Sequence, residues 1–108
     1  MVKLNGLLIC VSKEEVRLVI ELLPEHIELT HQEEGCISFE VKQSINPFIW
    51  EVEEVFDSMK SFKHHQSRTA LSIWGVKMQN IKRQGGVSKS MLKKPTLTMS
   101  EINKESYG

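Results

Sequence analysis

The sequence predicts an α+β domain in which two helices cover one face of a four-stranded antiparallel sheet. Segments with the β-branched and aromatic composition of strands are separated by two segments whose apolar residues recur at helical spacing. The turn signal Asn46-Pro47 lies between the second and third predicted strands, which therefore form a hairpin. The resulting order, βαββαβ, is that of a ferredoxin-like sandwich. At 108 residues, 40% of them hydrophobic, the chain suffices for one domain with a small core.

The first predicted strand covers residues 4–11 and is apolar throughout. Ser12 and Glu15 then fit a capping box, in which the serine hydroxyl and the glutamate carboxylate accept free N–H groups at the start of a helix. Pro24 removes a hydrogen bond from this helix, so we expect a kink there or a break into two short helices. The apolar stripe of the helix consists of Val16, Val19, Ile20, Leu23 and Ile27.

The central part of the chain is predicted as a glycine cap, a hairpin and a second helix. Gly35 is the expected left-handed residue at the end of the first helix. Residues 36–41 and 48–56 read as the second and third strands, and Asp57 or Ser58 caps the next helix. One side of that helix carries Met59, Phe62, Gln66, Thr69 and Ile73.

The position of the last strand is less determined by the sequence. Trp74-Gly75 marks a break, after which a further helical piece runs through Met78 and Ile81. Residues 96–100 alternate as a strand should, and we favour them as the fourth strand. The alternative places that strand near residues 80–87. We expect a single domain, residues 1–108, with its core at about 4–102 and a tail at 103–108.

The predicted sheet is apolar on both faces, although the helices cover only one. The third strand carries Phe48, Trp50 and Val52 on one side and Ile49 and Val55 on the other. An uncovered apolar face has to be buried against something, and a second copy of the chain is the simplest partner. We therefore expect a two-fold homodimer.

Composition excludes several classes of function. Lys+Arg and Asp+Glu are 14 each, so the formal net charge of +0 gives no long-range attraction to nucleic acid or to an anionic membrane. The first apolar stretch is too short to span a bilayer and lacks the layout of a signal peptide, which predicts a cytoplasmic protein. Cys10 and Cys36 lie in apolar runs, as reduced core residues do. No metal, nucleotide or flavin motif is present, so we expect no cofactor.

Glu54 and His65 are the candidate catalytic pair. Glu54 lies near the end of the third strand and His65 eleven positions later on the second helix, three residues after Phe62 and at the flank of its apolar stripe. A titratable pair beside apolar walls is typical of active sites; the alternative for His65 is a histidine satisfied by a backbone carbonyl. His64 points nearly opposite, toward solvent. Gln66, in the apolar stripe, either lines a polar pocket or marks an irregular helix.

Other polar and aromatic residues have two interpretations each. Asn5 in the first strand is a pocket-facing donor or a simple strand-start residue. Arg68 pairs with Glu54, holds an anionic or carbonyl group of a substrate, or is solvated. Trp50 and Trp74 are core residues or contact a substrate.

Several segments together resemble the antibiotic biosynthesis monooxygenase family. They are an acidic-Gly-Cys turn at residues 33–40, a Glu-x-aromatic strand end at residues 54–56, the segment at 62–65, and an HQxR…WG pattern at residues 65–68 and 72–75. The resemblance covers roughly residues 4 to 83. It implies two ferredoxin-like subunits that share one barrel.

The resemblance also implies a reaction: oxygen insertion into a small phenolic or quinol-type aromatic by dioxygen, without metal or flavin. His65 is then the base or the partner of the substrate oxyanion, and Glu54 orients or tunes it. The residues expected to bind the substrate are Asn5, Trp50, Phe56, Gln66, Arg68 and Trp74.

The chain departs from the family pattern at two places. Ala70 stands where many relatives have a second histidine, and residues 85–95 form an insertion.

A haem-degrading relative uses an asparagine, a tryptophan and a histidine. Asn5 fits the asparagine, but His65 occupies the position of the tryptophan and Gly75 lies near that of the histidine, which disfavours haem degradation. The remaining alternatives are an isomerase of a small carbonyl compound that uses His65 as a proton shuttle, and a ligand-binding dimer without turnover.

Overall fold

The computed structural model describes residues 1–89, with side chains described to Gly86. Its elements are β1 (Val2–Ile9), α1 (Lys13–His31), β2 (Cys36–Gln43), β3 (Ile49–Phe56), α2 (Met59–Leu71), α3 (Ile73–Lys77) and β4 (Lys82–Lys89). Each of the four strands is antiparallel to its neighbours, in the order β2-β3-β1-β4. The predicted ferredoxin-like α+β fold is confirmed.

The helices pack on one face of the sheet, where alternate strand residues are buried. In β3 this face carries Glu54 between the apolar residues Val52 and Phe56. Cys10 belongs to the core and Cys36 packs against it, and both are free thiols. The buried hydrophobic core consists of Val2, Leu4, Leu8, Cys10, Val19, Leu23, Phe39, Val41, Trp50, Val52, Phe56, Phe62, Trp74, Met78 and Ile81.

The first helix begins at the predicted capping box. The Ser12 hydroxyl accepts the Glu15 backbone N–H at 3.2 Å, and the Glu15 carboxylate accepts the Val11 N–H at 2.8 Å. Pro24 lies inside one continuous helix of 19 residues, so the predicted break into two helices is wrong. Pro24 is exposed, so its missing N–H and its ring disturb the solvent side of α1 and not the core. None of the helices within residues 1–89 has both the length and the apolar character that crossing a membrane requires.

Gly35 is the left-handed residue that the sequence predicts, with a φ of +89°. The helix itself ends four residues earlier, at His31. A Cβ atom at Gly35 would lie 2.6 Å from the Ser61 Cβ and 2.7 Å from the Asp57 Oδ1. The Gly35 carbonyl also accepts the Asp57 N–H at 2.8 Å. The turn after α1 is therefore packed tightly against the start of α2, which is capped by Ser58.

Two predictions for the later part of the chain differ from the structure. The helical break is at Ser72, which ends α2 and caps α3, so Trp74 and Gly75 lie within α3. The fourth strand is β4 and begins at Lys82, close to the alternative position. The favoured segment, residues 96–100, lies outside the described residues. Gly85 and Gly86, at the start of the predicted insertion, are residues of β4. Gly85 pairs with Gly6 of β1.

The uncovered face of the sheet is more polar than predicted. Its β3 residues include the exposed Glu51 and Glu53 between the half-buried Ile49 and Val55. Lys3 of β1 forms an ion pair with Glu53 at 3.5 Å. The prediction of a sheet apolar on both faces is therefore wrong for this face, since half of its β3 residues are acidic.

Candidate active site

The candidate site is built around His65, whose imidazole lies between two carboxylates. Its Nδ1 is 2.7 Å from the Oε1 of Glu33, in the turn after α1. Its Nε2 is 3.6 Å from the Oε1 of Glu54, on β3. The side chains of His65 and Glu54 are 0% exposed and that of Glu33 is 7% exposed. The predicted pair is thus brought together, and a second carboxylate joins it.

Local structure explains why these side chains meet. Ser58 caps α2 by accepting the Ser61 N–H, and the helical repeat then directs Phe62, His65 and Thr69 toward the sheet. Alternation along β3 directs Glu54 to the same layer. Each polar group is therefore buried by the regular geometry of its own element.

The hydrogen bonds determine which ring nitrogen of neutral His65 carries the proton. The Glu33 carboxylate can only accept, so Nδ1 carries the hydrogen and donates it to Glu33. Nε2 keeps its lone pair and faces the Thr69 hydroxyl at 3.4 Å as well as Glu54. This arrangement leaves Nε2 available to accept a proton, as a general base must.

Arg68 holds Glu33, a partner that none of the three interpretations of its sequence position included. The Arg68 Nε donates to Glu33 Oε2, and its Nη2 donates to the Thr30 hydroxyl at 3.2 Å. Thr30 in turn donates to the backbone carbonyl of His26 at 2.7 Å. These bonds connect α2 to the last turns of α1 and restrain the carboxylate that orients the imidazole.

Burial is the main influence on the pKa of His65. It lowers this pKa from the ordinary value of 6.5, because the charged imidazolium loses its hydration. Glu33 opposes the change through its charge and its hydrogen bond, whereas Arg68 and His64 lower the pKa further. The net lowering keeps the imidazole neutral at neutral pH.

Aromatic rings enclose the imidazole on several sides. The ring centroid of His65 lies 5.0 Å from that of Phe56, 5.7 Å from Phe39 and 5.8 Å from His26. The His26 ring is itself stacked on Trp74, at 4.7 Å and an angle of 3° between the planes. The surroundings of His65 are therefore apolar apart from the polar groups already named.

The remaining predicted site residues are placed differently. Trp50 shares the helix-covered face but lies four residues from Glu54 along β3, about 13 Å away. Gln66 is half-buried beside His65 in the sequence. Asn5 is exposed on the uncovered face, where it pairs with Glu53 in the sheet. Within the chain, Asn5 and His65 therefore lie on opposite sides of the sheet and are not brought together.

Sequence reasoning did not assign two residues that the structure places at the site. Glu33 was read only as part of the turn that ends α1. His26 continues the buried stripe of α1 at helical spacing after Val19 and Leu23, and this spacing could have identified it as buried. No comparable signal exists for Glu33, since its partner His65 is 32 positions away.

The part of the chain that the structure describes also forms pockets outside this buried cluster. One, of about 270 Å³, lies between α1 and α3, with His26 and Trp74 among its lining residues. The other, of about 360 Å³, lies on the uncovered face and is lined partly by Asn5, Glu51 and Glu53. Within residues 1–89, no group of three or more His, Cys, Asp or Glu side chains is arranged to hold a metal ion.

The four-stranded antiparallel sheet and the helices packed on it define a small α+β protein of the ferredoxin-like class. The family model described as antibiotic biosynthesis monooxygenase matches residues 4–72. The chain therefore belongs to the antibiotic biosynthesis monooxygenase family. Among proteins with curated descriptions, none matches the chain at a significant level.

Solved structures show the same fold. A protein of Deinococcus radiodurans, provisionally assigned as an antibiotic biosynthesis monooxygenase, has a TM-score of 0.70 and 22% identity over 82% of this chain and 91% of its own. A protein of Nitrosomonas europaea with the same provisional assignment has a TM-score of 0.64 and 14% identity, over 87% and 94%. A conserved protein of Methanosarcina mazei has a TM-score of 0.62 and 22% identity, over 82% and 93%. At these identities the likeness concerns the fold.

Proposed function

We propose that the protein is a monooxygenase that oxidises a small phenolic or quinol-type aromatic compound with dioxygen, without a metal or flavin. Membership of the antibiotic biosynthesis monooxygenase family supports the class of reaction. The observation that carries the proposal is the geometry of His65, in which Glu33 holds Nδ1–H, so that the lone pair is on Nε2, facing the Thr69 hydroxyl, and can accept a proton.

The first step is removal of a proton from the substrate hydroxyl by Nε2 of His65. The Glu33 carboxylate, 2.7 Å from Nδ1, stabilises the imidazolium that forms. Glu54 adds a second carboxylate 3.6 Å from Nε2. Arg68 offsets the charge of Glu33 and keeps it in place, so the oriented imidazole does not need to reorganise during the transfer.

The second step is oxidation of the substrate anion by dioxygen. The electron-rich anion transfers electrons to dioxygen, one oxygen atom bonds to a ring carbon, and the other leaves as water. A phenol and dioxygen thereby give a quinone and water, with all four electrons supplied by the substrate. The apolar surroundings provided by Phe39 and Phe56 limit the access of water to the anion.

The test is oxygen consumption by purified, metal-free protein with a panel of quinols and polyphenols. We expect turnover by the wild type and a loss of about 10²–10⁴-fold in His65→Gln, the range of a general base. His64→Gln is the matched control, because His64 is the neighbouring residue and is exposed. It should retain the activity of the wild type.

Equal activity of the two histidine variants would show that His65 is not the base. If a folded wild-type protein consumes no oxygen with any member of the panel, the monooxygenase proposal fails. The same samples then test the isomerase alternative, in which a small carbonyl compound rearranges without oxygen uptake.

A further inference from the structure

Two carboxylates compete for the single ring hydrogen of neutral His65. Glu33 Oε1 lies 2.7 Å from Nδ1, and Glu54 Oε1 lies 3.6 Å from Nε2. A carboxylate oxygen accepts hydrogen bonds, so each of the two can take the hydrogen from the nitrogen that it faces. The shorter distance favours the tautomer with the hydrogen on Nδ1, in which Nε2 keeps its lone pair. The tautomer of His65 therefore depends on how firmly Glu33 is held.

Glu33 is held by a series of hydrogen bonds that begins at Thr30 of α1. Arg68 donates from Nε to Glu33 Oε2 and from Nη2 to the Thr30 hydroxyl, the second bond at 3.2 Å. These two donors lie on the same edge of the planar guanidinium, so the two bonds together fix its orientation. Because Oε2 is bound to Arg68 and Oε1 to His65, the Glu33 carboxylate is fixed at both oxygens.

The Thr30 hydroxyl faces Arg68 as an acceptor. Its own hydrogen is donated to the backbone carbonyl of His26 at 2.7 Å, one turn earlier in α1. Such a bond is common for threonine in a helix and by itself indicates no function. Here it leaves the lone pairs of the hydroxyl for the Arg68 N–H. Thr30 is 0% exposed, so solvent does not compete for this bond.

Arg68 has an alternative position in solvent. Its side chain is 26% exposed, whereas that of Glu33 is 7% exposed. A long, flexible side chain loses conformational entropy when it is held in one place, and this loss favours release into water. The bond to Thr30 opposes that release and keeps Arg68 against Glu33.

We infer that Thr30 is a positioning residue for His65. It acts through Arg68 and Glu33 to keep the imidazole hydrogen on Nδ1. Without the Thr30 hydroxyl, Arg68 turns toward solvent and Glu33 is held less firmly, so the hydrogen divides between the two nitrogens. A His65 with the hydrogen on Nε2, directed toward Glu54, has no lone pair there to accept a proton. The effect on catalysis rests on the proposed monooxygenase function, whereas the effect on the tautomer does not.

The tautomer of His65 is measured by long-range ¹H–¹⁵N NMR of the full chain labelled with ¹⁵N-histidine, at about pH 8, where the imidazole is neutral. The chain has 4 histidines, and comparison with His65→Gln assigns the signals of His65. We expect the wild type to carry the hydrogen on Nδ1. Thr30→Val, which keeps the shape but removes the hydroxyl, should show a measurable fraction with the hydrogen on Nε2. Thr30→Ser keeps a hydroxyl, so this matched control should resemble the wild type.

Oxygen uptake measures the catalytic consequence. Thr30→Val should lower kcat about two- to tenfold, the range for the loss of one hydrogen bond, with KM unchanged. A double-mutant cycle tests the route through Arg68. In an Arg68→Met background, Thr30→Val should change neither the tautomer nor kcat any further. If Thr30 only supported the packing of α1, the two effects would be additive.

The inference is overturned if Thr30→Val has the tautomer of the wild type, or if its effect is the same in the Arg68→Met background. If Thr30→Val does not fold, Arg68→Lys tests the same step, because it keeps the charge but lacks the edge with two donors. An unaltered tautomer in Arg68→Lys then overturns the inference.

The NMR and oxygen measurements separate this inference from the proposed function. A changed tautomer in Thr30→Val, beside a wild type that consumes no oxygen, refutes the monooxygenase function and leaves the role of Thr30 intact. Oxygen uptake by the wild type, together with an unaltered tautomer in Thr30→Val, has the opposite meaning.

Discussion

Glu33 determines how the buried histidine behaves, although it is not on the same element. It accepts the Nδ1–H of His65 and is held by Arg68, so one carboxylate connects the imidazole to the guanidinium. Without Glu33 the Nδ1–H of the buried imidazole would have no acceptor among the contacts described above. The orientation of Nε2 toward Glu54 therefore depends on a turn residue.

At the scale of residues, the sequence could predict the pair of Glu54 and His65 but not its third member. A strand residue and a residue on the following helix, both in the apolar layer, must lie close together. Glu33 and Arg68 come from positions 35 apart, and their meeting depends on how the turn after α1 folds over α2. Periodicity carries no information on that turn.

We predict that protein stability depends on the protonation of His65. Burial lowers its pKa in the folded state, so between that pKa and the unfolded value of about 6.5 the unfolded chain binds more protons. The free energy of unfolding should therefore decrease as the pH falls below about 6.5. Urea denaturation of the wild type and His65→Gln, at about pH 7.5 and about pH 5.5, measures this contribution.

In this comparison the loss of stability on acidification should be smaller in His65→Gln than in the wild type. His64→Gln keeps His65 and removes an exposed ring that is only a minor influence on the pKa of His65, so its loss of stability should be closer to that of the wild type than to that of His65→Gln. An equal loss in all three proteins would contradict the prediction.

At the scale of elements, the turn after α1 places two restrictions on one residue, its backbone conformation and the space around it. Gly35 has a positive φ and also lies against Ser61 and Asp57 at the start of α2. A side chain there is disfavoured by conformation and by space at the same time. The turn that positions Glu33 therefore requires glycine.

We predict that Gly35→Ala destabilises the protein by about 1–3 kcal/mol, the range for a residue forced into an unfavourable backbone conformation. Displacement of the turn should also reduce the activity proposed for His65, because Glu33 lies two residues away. Urea denaturation measures the first effect and oxygen uptake the second. Glu34→Ala, an exposed change in the same turn, should alter neither by much, and a stable Gly35→Ala would show that the turn adapts.

The fourth strand shows why one element could not be located from sequence. Gly85 and Gly86 indicated a loop, because glycine lowers the strand propensity of an isolated segment. In the sheet, Gly85 pairs with Gly6, so two residues without side chains face each other between β1 and β4. A cross-strand partner of this kind is visible only once the register is known.

At the scale of the whole molecule, the sheet presents one covered and one uncovered face. The uncovered face combines half-buried apolar residues such as Leu7 with exposed charges such as Glu51, its neighbour across β1 and β3. A second copy of the chain could bury Leu7 and pair opposite charges, as the family resemblance implies. The fold class itself was predicted correctly, because element order and hydrophobic alternation suffice for it.

We predict that the protein is a homodimer in solution, joined through this face. Light scattering coupled to size-exclusion chromatography should give twice the chain mass of 12.4 kDa. Leu7→Asp should shift the mass to that of one chain, because it adds a negative charge beside Glu51. Ile45→Asp, at a fully exposed position outside the sheet, should remain dimeric.

A monomeric wild type would contradict this prediction, and so would a dimer that Leu7→Asp leaves intact. Circular dichroism of Leu7→Asp separates a change of assembly from a loss of folding.

The hydrogen bonds that Glu33 and Arg68 make with other residues of the buried site, and with each other, join residues that are 32 to 38 positions apart in the chain. None of them can form in an isolated hairpin or helix, since each needs α2 docked on the end of α1, and Glu54 is added by the central strand β3. Closing such long loops is costly in entropy until the apolar layer between them has formed. We therefore expect the hydrogen bonds of Glu33 and Arg68 to form late in folding.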